Sequence, residues 1–170
     1  MASAKTVLEL VAASRATAKV SEDRIAEVQQ GLDPNHVTDA QVEDLRAATV
    51  ALELAAVDLF SLFEARMQHH FRRGPFSRKL RSLLLEAGQT DLADRFHQYY
   101  LAINVLKHGK GASYRELLEK PTAFVVLNPV TDTDNENAPQ AIGLVDVSAA
   151  GFIDGLNATV VDAYHFLEAK

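Results

Sequence analysis

Apolar residues recur at helical spacing along most of the chain and predict six helices. The helix predicted over 38–71 has an apolar stripe of Leu45, Ala48, Leu52, Ala55, Leu59, Leu62 and Phe63, and between Val50 and Phe63 its only charged residues are Glu53 and Asp58. We therefore expect this long helix to be central, with neighbours on more than one side. Helices are also predicted over 3–30, 90–107 and 149–167, and two short ones end near Gly88 and Pro121. Helices 38–71, 90–107 and 149–167 should pack side by side and bury Leu52, Leu59, Phe63, Phe96, Ile103, Val160 and Tyr164.

Residues that commonly cap helices stand before most of these segments. Thr38 with Gln41, and Ser113 with Glu116, have the spacing of a capping box, in which each side chain satisfies a free backbone N–H of the other residue. Single capping residues are predicted for three further helices: Ser77, Thr90 and Ser148.

The hydrophobic pattern changes near the C-terminal end. Residues 123–127 and 141–145 are short, β-branched runs, and a polar linker, 128–140, separates them. An isolated hairpin is only marginally stable, so this one should lie against the helices. We predict a mainly all-α fold: an up-and-down helical bundle in a single domain, 1–170, with a small β-hairpin inserted at 122–147 before the last helix.

Composition excludes several classes of protein. The chain has 170 residues, of which 48% are apolar, and it contains no Cys, so disulfides, thiolate metal sites and thiol catalysis are excluded. No run approaches the ~18 apolar residues of a transmembrane helix. Glu9 interrupts the N-terminal apolar run, unlike in a signal peptide. We expect a soluble, cytoplasmic protein with no membrane contact.

One face of the helix that begins at Thr90 is polar but uncharged. At about 100° per residue, His97, Asn104 and His108 align opposite the core stripe, with Leu101 among them and Tyr100 beside them. Two imidazoles, an amide and a phenol are unusual on a solvated surface. The face could be a buried hydrogen-bond network, a subunit interface or the wall of a functional site. As an interface, with Tyr100, Leu101 and Val105, it predicts a homodimer.

The segment Asn104-Val-Leu-Lys-His108-Gly109 ends this helix. It resembles the terminal motif of the HEPN superfamily, small helical bundles frequent in bacterial defence and toxin systems, in which an Arg and a polar residue precede three variable residues and a His. Asn104 and His108 match the polar residue and the His, whereas Ile103 stands at the Arg position. The resemblance implies a helical bundle and makes His108 and Asn104 the candidate catalytic residues for metal-independent RNA cleavage. The missing Arg removes the cation expected to stabilise charge at the phosphate.

Basic residues are concentrated in one segment. All 23 acids lie outside residues 66–85. The same segment contains six of the 17 Lys and Arg residues: Arg66, Arg72, Arg73, Arg78, Lys79 and Arg81. The segment could bind phosphate or could simply solubilise a turn and a helix end. His97, Tyr100, Lys107 and Lys110 complete the candidate binding residues.

No metal site and no cofactor is predicted. Adjacent His69 and His70 should point about 100° apart on a helix, too far to share an ion. His97 and His108 are separated by about 16 Å along their helix. An acidic run in the linker lacks the Gly and the last Glu of a calcium loop: Asp132, Asp134 and Glu136.

Three functions remain open. The first is a non-catalytic HEPN-like binding or regulatory module, acting as a homodimer, with another protein, RNA or a nucleotide phosphate as candidate partners. The second is a HEPN-type ribonuclease or toxin that uses His108, with Lys107, Lys110 or Arg95 replacing the missing cation. The third is a small-molecule or nucleotide-binding helical protein.

Overall fold

The computed structural model describes residues 5–129 and 143–170. In these ranges the chain forms a bundle of six α-helices, which confirms the prediction of an all-α bundle. The helices are α1 Val7–Gln30, α2 Asp39–Met67, α3 Phe76–Glu86, α4 Thr90–His108, α5 Ala112–Glu119 and α6 Phe152–Glu168. A short 3₁₀ helix, Gln68–His70, follows α2 directly, so the long helix predicted over 38–71 ends earlier as an α-helix.

The core lies between α2, α4 and α6, which contact one another as predicted. Six of the seven residues expected in this core are buried: Leu52, Leu59, Phe63, Phe96, Ile103 and Val160. Tyr164 is only half-buried, and Leu62 of the predicted α2 stripe is 45% exposed. The Phe96 ring stacks on Phe60 at 5.4 Å between centroids and meets Phe76 edge-on at 6.4 Å. Around this core, α1 packs along α2 and α6, while α3 and α5 pack on α4.

Close packing of α4 against α6 depends on a glycine. The Tyr99 hydroxyl donates to the Phe152 carbonyl at 3.2 Å and lies against Gly155. A Cβ atom at position 155 would overlap this hydroxyl. Burial raises the pKa of Tyr99 to about 12, so the phenol stays protonated and remains a donor. Gly155 thus lets the two helices approach closely.

The capping predictions are confirmed only at α2. Thr38 and Gln41 form the expected capping box, and Thr6 with Glu9 forms another at α1. The three predicted single caps are wrong: Ser77, Thr90 and Ser148. The N-cap residues of α3, α4 and α6 are instead Pro75, Gln89 and Gly151. Ser77 and Ser148 instead direct their hydroxyls to the carboxylates of other residues. A capping residue at the correct spacing therefore did not ensure a helix start.

The structure does not support the predicted β-hairpin in the residues that it describes. Leu127 and Val145 form a single isolated antiparallel bridge, and no strand is formed in the described ranges. The apolar side chains of this region bury against the helices instead of extending a ladder: Val125, Leu144, Val145 and Val147. Residues 130–142 lie outside the described residues. They include most of the predicted linker, with Asp132, Asp134 and Glu136, and Ala141 of the second predicted strand. Residues 3 and 4 of the first predicted helix also lie outside the described residues.

A buried carboxylate connects α2 to the segment before α6. Glu53 is only 6% exposed, and its carboxylate accepts the Gly143 N–H at 2.9 Å. Burial raises the pKa of Glu53, although the bond from Gly143 partly offsets this effect. The Glu53 carboxyl group therefore positions Gly143, and its pKa lies above the ordinary value of a glutamate.

Within residues 5–129 and 143–170, none of the helices has the length and apolar character needed to cross a membrane.

Candidate functional site

The polar face predicted on α4 lines two adjoining cavities that share Tyr100. The first cavity, of about 250 Å³, is walled by α3 and α4, and its lining includes Arg78, Arg81 and His97. The second, of about 350 Å³, lies between α4 and the start of α5, and its lining includes Asn104 and His108. We call the two cavities together the α4 groove.

The first cavity contains the positive charge of the groove. Arg78 and Arg81 are three residues apart on α3, so both side chains lie on one face of that helix. The Arg81 Nε atom is buried and has no hydrogen-bond partner in the described part of the chain. Buried donors are almost always paired, so this nitrogen is an unsatisfied donor within a residue that lines the cavity.

His97 is held by a residue of α5. Its Nε2 lies 2.8 Å from Glu116 Oε1. An ionised carboxylate can only accept, so Nε2 carries the proton and donates it. The His97 ring stacks on Tyr100, with centroids 6.1 Å apart and planes 24° apart. The bond to Glu116 thus fixes the orientation of the His97 imidazole. The stacked His97 and Tyr100 rings together form an aromatic wall of the groove.

The second cavity is shaped by the turn between α4 and α5. Gly109 follows the last residue of α4 with φ of 75°, a conformation that glycine adopts without strain, and the chain then returns over α4. The Asn104 amide donates to the Ser113 hydroxyl at 3.3 Å. His108 is exposed and lines the cavity beside this pair. The two residues of the terminal motif therefore lie in one wall.

No Lys or Arg lines the second cavity among the described residues. Ile103, at the position of the motif Arg, is 1% exposed and belongs to the core. Lys107 is close enough to Glu64 to lower the pKa of that carboxyl, although burial raises this pKa overall. Arg95 pairs with Asp162 at 3.0 Å. The residues proposed to replace the missing cation thus have other neighbours, except Lys110, which is exposed in the turn.

The basic segment contributes only part of its charge to the groove. Arg78 and Arg81 line the first cavity. Arg72 and Arg73 are exposed but line neither cavity, and the Lys79 side chain lies over the Gly74 turn. The structure therefore divides one run of sequence into two arginines inside the groove and two outside it.

Two residues that bond the polar face of α4, Ser113 and Glu116, were assigned a different role from the sequence. The predicted capping box of Ser113 and Glu116 is wrong, because Gly111 is the N-cap of α5 and no side chain caps it. Ser113 accepts from Asn104, and Glu116 accepts from His97. Ser113 and Glu116 are three residues apart, so their side chains lie on one face of α5. This spacing was the signal in the sequence that both residues face the α4 stripe.

The interface interpretation of this stripe loses its basis. Leu101 and Val105 are 3% and 0% exposed within the single chain. They cannot form the exposed apolar surface from which a homodimer was predicted. Tyr100 is half-buried and faces the groove.

The expectation that His69 and His70 point apart is also wrong. It considered only the backbone angle between successive residues, whereas rotation about the side-chain torsions also sets where two neighbouring rings lie. The two imidazole rings lie 4.3 Å apart between centroids.

Comparison of this chain with protein-family models, curated proteins and solved structures gives no match.

Proposed function

We propose that the protein is a non-catalytic, HEPN-like binding module, and that its α4 groove binds a phosphate-bearing ligand of the nucleotide class. The observation that carries this proposal is the position of Arg78 and Arg81 in the same groove as the polar stripe of α4. Two arginines in one cavity favour an anionic ligand, since a planar guanidinium suits the oxygens of a phosphate. The stacked rings of His97 and Tyr100 offer an aromatic surface for a base.

Three features of the groove oppose catalysis. The motif position that should carry a guanidinium is the buried Ile103, so the charge developing at a phosphate beside His108 lacks its stabilising cation. The His97 Nε2 proton is engaged by Glu116. Finally, His97 and His108 are about 16 Å apart along α4, too far for one chain to use them as acid and base on the same phosphate.

Self-association and a cytoplasmic location stay part of the proposal. With Leu101 buried, a homodimer has to use another face than the one that motivated it. Sedimentation of the full chain at tens of micromolar tests self-association independently of ligand binding.

Incubation of the purified chain with labelled RNA in EDTA tests whether the groove is catalytic. We expect no cleavage above background, and we expect wild type and His108→Ala to behave alike. Cleavage by wild type that His108→Ala abolishes would replace the binding module with the ribonuclease alternative. Asp39→Asn, a change on the exposed first turn of α2, serves as a matched control for sample contamination.

A further inference from the structure

We propose that His69, His70 and Glu168 form a binding site for a divalent transition-metal ion of the Zn²⁺ class. His69 and His70 lie in the 3₁₀ helix that follows α2, and Glu168 is the last residue of α6. One ligand atom from each residue lies within 4.8 Å of the other two. The site is separate from the α4 groove and does not depend on the function proposed for it.

The hydrogen bonds prepare the imidazoles to bind a metal. His69 Nδ1 lies 2.9 Å from the Arg66 carbonyl, which can only accept, so Nδ1 carries the proton and Nε2 keeps a free lone pair. Metal-ligating histidines commonly use one ring nitrogen in this way, because the bond fixes both the tautomer and the ring orientation. The His69 ring thus has the arrangement of a ligand.

The contact between His70 and Glu168 leaves room for an ion. His70 Nε2 and Glu168 Oε1 are 3.4 Å apart, longer than the roughly 2.7–2.9 Å of a charge-assisted hydrogen bond. Two ligand atoms bound to one Zn²⁺ at about 2.0–2.1 Å in a tetrahedron are also separated by more than 3 Å. His70 and Glu168 therefore already have a spacing that a shared ion requires, and a ligand atom of His69 lies within 4.8 Å of both.

The ligand chemistry selects the class of metal. Imidazole nitrogen suits Zn²⁺, Cu²⁺ and Ni²⁺ and is a poor ligand for Ca²⁺ or Mg²⁺. Two imidazoles and one carboxylate give Zn²⁺ three protein ligands, and a water can occupy the fourth position.

Such an ion would link two distant parts of the chain. His70 and Glu168 are 98 residues apart, so one ion would join the end of α2 to the last turn of α6. An ion that binds this arrangement only in the folded chain raises the melting temperature, and the increase grows with the logarithm of the ion concentration relative to Kd.

Isothermal titration of the untagged, EDTA-treated full chain with ZnCl₂ tests the site. We expect one Zn²⁺ per chain, a higher melting temperature in Zn²⁺, and affinity at least about tenfold weaker in His69→Ala, His70→Ala and Glu168→Gln. His165→Ala is the matched control, because this exposed histidine lies on the same helix as Glu168 but outside the cluster, and we expect it to bind Zn²⁺ normally.

Two results would overturn the proposal: no saturable binding by the wild type, or binding that all three ligand variants retain. Circular dichroism of each variant shows that it is folded. His97→Ala and His108→Ala should keep full Zn²⁺ affinity, and a loss in either would place the ion in the α4 groove and refute the proposed site.

Discussion

His97 on α4 donates from Nε2 to Glu116 on α5, with the two atoms 2.8 Å apart. The bond joins the wall of the groove to the short helix that closes it, and His97 is much less exposed than Glu116, at 15% against 41% of the side chain. Because α5 has only eight residues and no side-chain cap, its position depends on contacts of this kind with α4.

Removal of either partner should loosen α5. In a double-mutant cycle of His97→Ala and Glu116→Ala, we expect a coupling free energy of about 0.5–1.5 kcal/mol, since solvent partly screens the pair. Urea unfolding of the four proteins measures it. Glu119→Gln, an exposed change on the same helix, is the control and should cost less than about 0.5 kcal/mol. Strict additivity of the two changes would mean that the bond contributes nothing to stability.

Gly155→Ala should destabilise the protein, although alanine is ordinarily preferred inside a helix by about 0.5–1 kcal/mol. The new Cβ would overlap the Tyr99 hydroxyl, so we expect a loss of about 1–3 kcal/mol in the free energy of unfolding. Combining the change with Tyr99→Phe removes the overlapping oxygen and should reduce the cost. A stabilised Gly155→Ala variant would show that α4 and α6 are not so closely packed.

Leu59 and Leu62 lie one turn apart on α2 and differ in burial, at 2% and 45% exposed. Leu59→Ala should cost about 2–5 kcal/mol, because it leaves a cavity in the core. Leu62→Ala is the matched control, and we expect a cost below about 0.5 kcal/mol. Chemical denaturation compares the two, and equal losses would contradict the position of α2 in the bundle.

Glu53 should make the protein less stable as the pH rises. Its folded-state pKa lies above its ordinary value of 4.5, so between these two values the folded chain binds more protons than the unfolded chain. Stability therefore falls with increasing pH across this window. In Glu53→Gln the amide oxygen can still accept from Gly143 but does not titrate, and the slope should become shallower.

Urea unfolding at several pH values from 4.5 to 7.5 measures this slope for both proteins. Glu22 and Glu64, whose pKa values burial also raises, retain part of the pH dependence in the variant. An unchanged slope in Glu53→Gln would show that Glu53 is equally solvated in the folded and unfolded chains.

The sequence predicted the helices well because their apolar stripes are long and repeat over several turns. Leu59, Phe96 and Val160 are buried where this periodicity places them. The hairpin could not be predicted in this way. A short apolar run such as 123–127 has the same pattern whether it pairs as a strand or packs irregularly on helices, and contacts distant in sequence decide between the two.

The stripe of α4 was predicted, but its partners were not. His97, Asn104 and His108 share one face, as their spacing indicated. Ser113 and Glu116 fit a local capping motif equally well, and only the turn at Gly109 directs them to α4 instead. Likewise, the basic segment did not reveal that Arg78 and Arg81 reach the groove while Arg72 and Arg73 do not.

This division of the arginines gives the most direct test of phosphate binding in the α4 groove. Fluorescence anisotropy at fixed, low salt measures binding of a labelled oligoribonucleotide to wild type, to Arg78→Gln/Arg81→Gln and to Arg72→Gln/Arg73→Gln. Both variants lose the same charge, so long-range electrostatics change equally. We predict that the Arg78/Arg81 variant binds at least about tenfold more weakly and the Arg72/Arg73 variant about twofold more weakly, with the RNA intact in EDTA. Equal losses in the two variants, or no binding by the wild type, would contradict a phosphate-binding groove.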